Sequence, residues 1–135
     1  MANDEARHHG RLRAFVVDDH PSFLRAVAAV LDAAGFDVVG TASTGEAAVD
    51  ALCARDDVDL ALVDVQLPGI SGIEVARRYA ECRPRAPGVA TVVLMSTTDI
   101  ADLPGGSLGD GVAGFLLKDA LTTSSLRSLA GRRDP

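Results

Sequence analysis

Tryptophan is absent, and four Phe and one Tyr make up the whole aromatic content of the 135 residues. A chain so poor in rings must build its core from Val, Leu, Ile and Ala. Cysteine is scarce. Cys53 and Cys82 are far apart and match neither a CxxC nor a zinc-ligand spacing, so free thiols in a reducing compartment are the expectation. No run approaches the roughly 18 apolar residues that a membrane span needs. The polar start, residues 1–10, has no signal-peptide apolar stretch. A cytoplasmic protein without membrane contact is expected. Surplus positive charge is also missing: 13 Lys and Arg face 19 Asp and Glu, a net charge of −6. That argues against direct nucleic-acid binding, which runs on clustered cations. Arg7, Arg11 and Arg13 at one end, and Arg127, Arg132 and Arg133 at the other, read as solvated termini.

What is present is the composition of one ordinary globular domain, 47% hydrophobic and 24% charged. Residues 1–10 read as a disordered lead-in with an inert His8–His9 pair, 11–130 as the domain, and 131–135 as a tail. Short β-branched runs occur at Leu12–Val17, Phe36–Thr41, Leu60–Val63, Ala90–Met95 and Gly114–Leu117. Between them lie helical spacings. Pro21 to Ala34 places Phe23, Leu24, Val27, Leu31 and Ala34 on one face, with Gly35 as the stop. Ser43-Thr44-Gly45-Glu46 opens a second helix as a capping box, with Ala48, Leu52 and either Val49 or Cys53 inward. Ser71-Gly72-Ile73-Glu74 opens a third, with Ile73, Ala76, Tyr79 and Ala80 inward and Pro84 and Pro87 ending it. Continuous apolar strands alternating with helices imply a parallel sheet covered on both faces: an α/β, flavodoxin-like doubly wound fold of five strands in the order 2-1-3-4-5. The segment 99–112 breaks the pattern. It holds Pro104, Gly105, Gly106, Gly109 and Gly111, and an interior Pro costs a helix roughly 3 kcal/mol and each Gly about 1. The fourth helix is therefore expected to be short or irregular.

The chemistry sits at the strand ends. Asp18 and Asp19 follow the first strand, Asp64 the third, Ser96 and Thr97 the fourth, and Lys118 the fifth. Right-handed crossovers bring all of these to one sheet edge, where such folds bind ligands. Two carboxylates about 4 Å apart repel by roughly 4 kcal/mol at an effective dielectric near 20, and here there are three. Lys118 and a cation can compensate. A hard oxygen set suits Mg²⁺, and a carboxylate held beside Mg²⁺ and a lysine can act as a nucleophile toward a phosphoryl group.

The stretches Phe15-Val-Val-Asp-Asp-His-Pro-Ser-Phe23, Leu62-Val-Asp-Val-Gln-Leu-Pro-Gly-Ile-Ser-Gly72, Val92-Val-Leu-Met-Ser96 and Gly114-Phe-Leu-Leu-Lys-Asp119 together resemble a two-component response-regulator receiver domain. The likeness runs over about residues 11–130, and its Asp-Asp-His-Pro form resembles receivers that usually precede a helix-turn-helix domain. It implies that Asp64 is phosphorylated by a sensor histidine kinase or a phosphotransfer protein. It implies Asp19 as a direct Mg²⁺ ligand, Asp18 as a ligand through metal-bound water, and the Gln66 backbone carbonyl as a further ligand beside Asp64. Ser96 then becomes the switch hydroxyl, Lys118 the cation on the phosphoryl oxygens, and Phe115 the rotating aromatic, or simply a packed core ring. The implied output is a changed face toward a downstream protein partner, with homodimerisation on phosphorylation among the options.

Three departures bear on this. Asp119 stands where many receivers carry proline after the lysine, Gln66 and Thr98 occupy positions that tune phosphate lifetime, and the Gly- and Pro-rich 104–111 covers much of the customary output face. The chain reads as a free-standing receiver or as one cut from a longer regulator. One alternative is an atypical, phosphorylation-independent interaction module. Another is a phosphohydrolase, disfavoured because Gln66 and not an acid stands two residues after Asp64, so no enzyme is expected. A flavin site is weaker still, for want of a phosphate loop after the first strand.

Overall fold

A computed structural model describes residues 11–82, 89–98 and 111–131. The expected lead-in, the irregular fourth helix across 99–110, the prolines after the third helix and residues 132–135 of the tail lie outside the described residues.

The described elements are β1 (Leu12–Val17), α1 (Pro21–Ala33), β2 (Phe36–Ala42), α2 (Gly45–Cys53), β3 (Leu60–Asp64), α3 (Gly72–Cys82), β4 (Thr91–Ser96), β5 (Gly114–Leu117), a 3₁₀ turn (Lys118–Ala120) and α4 (Thr123–Gly131). All five strands are parallel, in the order β2-β1-β3-β4-β5. The winding therefore reverses between β1 and β3, the place where a doubly wound sheet opens a crevice at its carboxyl edge. β3 is buried along its whole length and β4 along all but its first residue. Central strands covered on both faces read as unbroken apolar runs, and that is why these two were visible in the sequence.

Alternate residues along each strand serve opposite layers. Phe15, Val17, Ala61, Val63, Val92 and Leu94 form one core with Ala48 and Leu52 of α2 and Val75, Ala76 and Tyr79 of α3. Ala14, Val16, Leu60, Leu62, Val93 and Met95 form the other with Val27 and Leu31 of α1 and Leu126 and Leu129 of α4. Each fully buried side chain of this size is worth about 2 kcal/mol of transfer free energy.

Local signals set the helix ends. Pro21 opens α1, and Gly35 closes it at φ 97, a left-handed conformation open to a residue without Cβ. Thr44, and not Ser43, caps α2: its Oγ1 accepts from the Ala47 N–H at 3.2 Å. Ser71 caps α3 by accepting from the Glu74 N–H at 3.2 Å. The inward face of α3 is rotated from the expected one, with Val75 fully packed and Ile73 and Ala80 only half-buried.

The expectation of free thiols does not hold. Cys53 and Cys82 are joined as a disulfide, with Cα atoms 6.0 Å apart. Each is the last residue of its helix, and both helices cover the same face of the sheet. Two right-handed crossovers on one face run their helices in the same direction, so the two ends arrive together despite 29 residues of separation. Among the described residues, no helix is long and apolar enough to cross a membrane.

Candidate functional site: an acidic crevice closed by a lysine

The same alternation that splits the core places the charged groups. Asp18 continues the inward set Ala14 and Val16, Asp64 continues Leu60 and Leu62, and Lys118 continues Leu116; these apolar residues all belong to the α1 side of the sheet. The backbone carries the geometry past the strands. The Asp18 N–H donates to the Ala42 carbonyl at 3.0 Å, and the Val65 N–H to the Met95 carbonyl at 2.9 Å. Gly72 packs so closely under the end of β3 that a Cβ there would stand 2.2 Å from the Asp64 carbonyl oxygen. Its N–H donates to the Val65 carbonyl at 2.9 Å. Only glycine fits that approach, which fixes the loop 65–71 beneath Asp64.

The Asp18 carboxylate is fully buried. Its Oδ1 accepts the His20 backbone N–H at 2.9 Å and faces His20 Nδ1 at the same distance. Its Oδ2 lies 2.5 Å from Lys118 Nζ. That approach is a charge contact and not an aligned hydrogen bond, so among the described residues Oδ2 has no directional partner. Lys118 Nζ also reaches Asp64 Oδ2 at 3.2 Å, while Asp64 Oδ1 accepts the Gln66 backbone N–H at 3.1 Å. The ammonium is held over the Phe23 ring, 4.4 Å from its centroid. One lysine thus bridges two buried carboxylates and rests on an aromatic face, an arrangement that strengthens each contact by excluding water.

Titration behaviour follows. Burial alone would push the Asp18 carboxyl up, but Lys118 and the two His20 contacts outweigh it and hold the group below its usual range. Burial wins at Asp64: its carboxyl lies above the ordinary aspartate range, with the Asp18 charge adding to the rise and Gln66 and Lys118 opposing it. For Lys118, burial works against the charge, and the two carboxylates more than restore it. The pair of acids is thereby differentiated, with Asp18 the more firmly ionised and Asp64 the more basic oxygen donor.

Asp18, Asp19, His20 and Asp64 each offer one ligand atom within 4.8 Å of the others. Three carboxylates, one with a buried oxygen lacking a directional partner, fit a small hard cation at this point. Ser96 is fully buried at the next strand end, its Oγ accepting the Thr98 N–H at 2.9 Å. It belongs by alternation with Leu94, on the α3 side, and Phe115 is half-buried against that same core. The sequence candidates therefore divide into a charged group on the α1 side and a hydroxyl–aromatic pair on the other. At Gln66 the backbone N–H donates to Asp64 Oδ1. Two neighbours had not been singled out. His20 meets both Asp18 and Asp19, the latter at 3.1 Å from Nδ1, and the Asp-Asp-His run itself was the signal for it. Phe23, under Lys118, had been counted only as a helix-face residue.

Comparison with known proteins agrees with this geometry. The model of the response regulator receiver domain matches residues 14–129. The chain belongs to the response-regulator receiver family. Receiver domains are the signalling modules of two-component systems. The chain is 33% identical over 127 residues to the response regulator UvrY of Escherichia coli, covering 90% of this chain and 56% of that one. It is 36% identical over 122 residues to the transcriptional regulatory protein NarL of Mycobacterium tuberculosis, covering 88% and 53%. The chain thus spans about half the length of the curated relatives it matches. Among solved structures, the signal receiver domain of the M. tuberculosis NarL response regulator superimposes with a TM-score of 0.69 at 33% identity, over 90% of this chain and 98% of that one. A Thermotoga maritima response regulator solved with Mg²⁺ and beryllofluoride shares the fold, at TM-score 0.73 and 24% identity.

Proposed function

We propose that this receiver takes a phosphoryl group on Asp64 from a phosphohistidine of a sensor kinase or phosphotransfer protein, in a Mg²⁺-dependent reaction. The observation that carries the reading is the state of the Asp64 carboxyl. It is buried, raised in basicity, and tied at one oxygen by the Gln66 N–H and at the other by Lys118.

Asp18, Asp19, Asp64 and the Gln66 carbonyl would hold the ion, and Mg²⁺ when bound supplies positive charge that offsets the charge of the transferring group. The chain's own residues do the rest. An Asp64 oxygen forms the new O–P bond as the histidine N–P bond breaks. Lys118 leaves its bridge between the carboxylates and pairs with the phosphoryl oxygens. The Ser96 hydroxyl exchanges its Thr98 contact for one of those oxygens, and Phe115 moves further into the core beside it, which biases the face offered to a downstream protein. Residues 11–130 act as the receiver unit, in the cytoplasm, in the service of transcriptional control or of another output partner, with phosphorylation favouring a homodimer.

Adding acetyl phosphate or beryllofluoride with Mg²⁺ should shift the amide NMR signals around Asp64, Ser96 and Lys118. Asp64→Asn should abolish the shift. A wild-type spectrum indifferent to both reagents in the presence of Mg²⁺ would overturn the proposal.

A further inference from the structure

The cysteine pair lies outside everything the phosphoryl chemistry uses. Cys53 ends α2, Cys82 ends α3, and the bond between them closes a ring that contains β3, Asp64 and the whole loop 65–71. Cys82 is exposed and Cys53 half-buried, so at least one sulfur can be reached by a solution thiol. Cys82 Sγ also lies 3.3 Å from the Tyr79 carbonyl oxygen, an acceptor that a reduced thiol can use at once. The fold thus has an acceptor within reach of the Cys82 sulfur, and the two helices that carry the pair also share one apolar core.

We propose that Cys53 and Cys82 form a reversible thiol–disulfide site, closed by exchange with a low-molecular-weight disulfide such as oxidised glutathione, and that its closure clamps the α2–α3 layer around the Asp64 strand. In the closing reaction the exposed Cys82 thiolate attacks one sulfur of oxidised glutathione. The Cys82–glutathione bond forms, the glutathione S–S bond breaks, and the departing thiolate takes up the proton that Cys82 gave up. Cys53, as thiolate, then attacks Cys82 Sγ and expels the second glutathione, which takes up the second proton. Glutathione disulfide is the oxidant, and two glutathione thiols are the reduced product. The opposite sequence opens the ring.

The site is tested on the full chain in glutathione buffers of varied ratio, with maleimide labelling read by mass spectrometry and melting read by circular dichroism. Under excess reduced glutathione, two labels per chain should appear together with an unchanged far-ultraviolet spectrum. Tm should fall by about 10 °C, the order expected for opening a ring of this size. Oxidised glutathione should restore the unlabelled, higher-melting form without unfolding. The double variant Cys53→Ser/Cys82→Ser should melt like the reduced wild type and ignore the buffer. Resistance to reduction until denaturant is added, a persistent single glutathione adduct, or an unchanged Tm on reduction would each overturn the proposal. Because Asp64→Asn should respond to the buffers as the wild type does, failure here is separable from failure of the phosphoryl reading.

Discussion

The two faces of the sheet are built from similar side chains and held in different ways. On one face α2 and α3 lie side by side, share a core with Phe15 and Leu94, and are joined by the Cys53–Cys82 bond. On the other, α1 and α4 share a core with Val16 and Met95, and the described contacts across them are softer. The Arg127 guanidinium donates to the Ala33 carbonyl at 3.2 Å, and Lys118 lies over Phe23. The charged site groups belong to the softer face, and Ser96 and Phe115 to the cross-linked one. The Asp64–Lys118 contact therefore lies on the side without a cross-link, while Ser96 and Phe115 lie against the layer that the disulfide joins. Local stability of this uneven kind is where functional motion is drawn from.

The largest test of that contrast compares Leu52→Ala in α2 with Leu31→Ala in α1, two fully buried leucines on opposite faces. Each should cost about 2–5 kcal/mol in chemical denaturation. Native-state hydrogen exchange should differ. With the disulfide closed, Leu31→Ala should speed exchange across α1 and α4 and leave α2 and α3 protected, whereas reduction should remove the distinction. Equal spread of exchange in the oxidised protein would break the comparison.

A smaller effect is expected at Tyr79→Phe. The Tyr79 hydroxyl accepts the buried Ala90 N–H at 2.8 Å, tying α3 to the entry of β4. Losing that acceptor leaves a buried donor unsatisfied, at a cost of about 1–3 kcal/mol. Urea unfolding should register it, and a value near zero would mean that the tie contributes nothing to the cross-linked face.

The smallest effect concerns the outer surface of α3. Glu74 is flanked by Arg77 and Arg78, whose hydrogen bonds lower its carboxyl from 4.5 to about 2. A depressed folded value means that the stabilisation is complete above pH 4.5 and is lost as pH falls through about 2. The groups are near the surface and screened by salt, so the contribution is slight. Glu74→Gln should flatten the acid limb of a Tm–pH curve between those values, and an unchanged limb would show that other carboxyls account for it.

How much could be read beforehand varied with the physics involved. The strands stood out because β3 and β4 are buried on both faces and so are unbroken apolar runs. The meeting of Asp18, Asp64 and Lys118 followed from parallel topology, which sends every strand's last residue to one edge. Three readings went astray for definable reasons. Ser43 and Thr44 are adjacent hydroxyls, and a capping pattern alone does not choose between neighbours. Val75 was missed because Ile73, Ala76 and Ala80 make an equally good stripe; the rotation of α3 is set by Gly72 pressing on the Asp64 carbonyl, a tertiary contact. The cysteine pairing has no short-range spacing at all and exists only because two parallel helices end at the same level.

The ring closed by that pairing has a mechanical meaning. If the chain were drawn out from its two ends, the 29-residue separation between Cys53 and Cys82 would not lengthen. At roughly 3.5 Å per extended residue, on the order of 100 Å of contour stays out of reach of the pull. Asp64 sits inside that sequestered length. Any machine that threads this protein from an end, such as a translocating protease or an unfoldase, would meet a covalent loop that holds β3 and α3, with Asp64 inside it, until a thiol opens the bond.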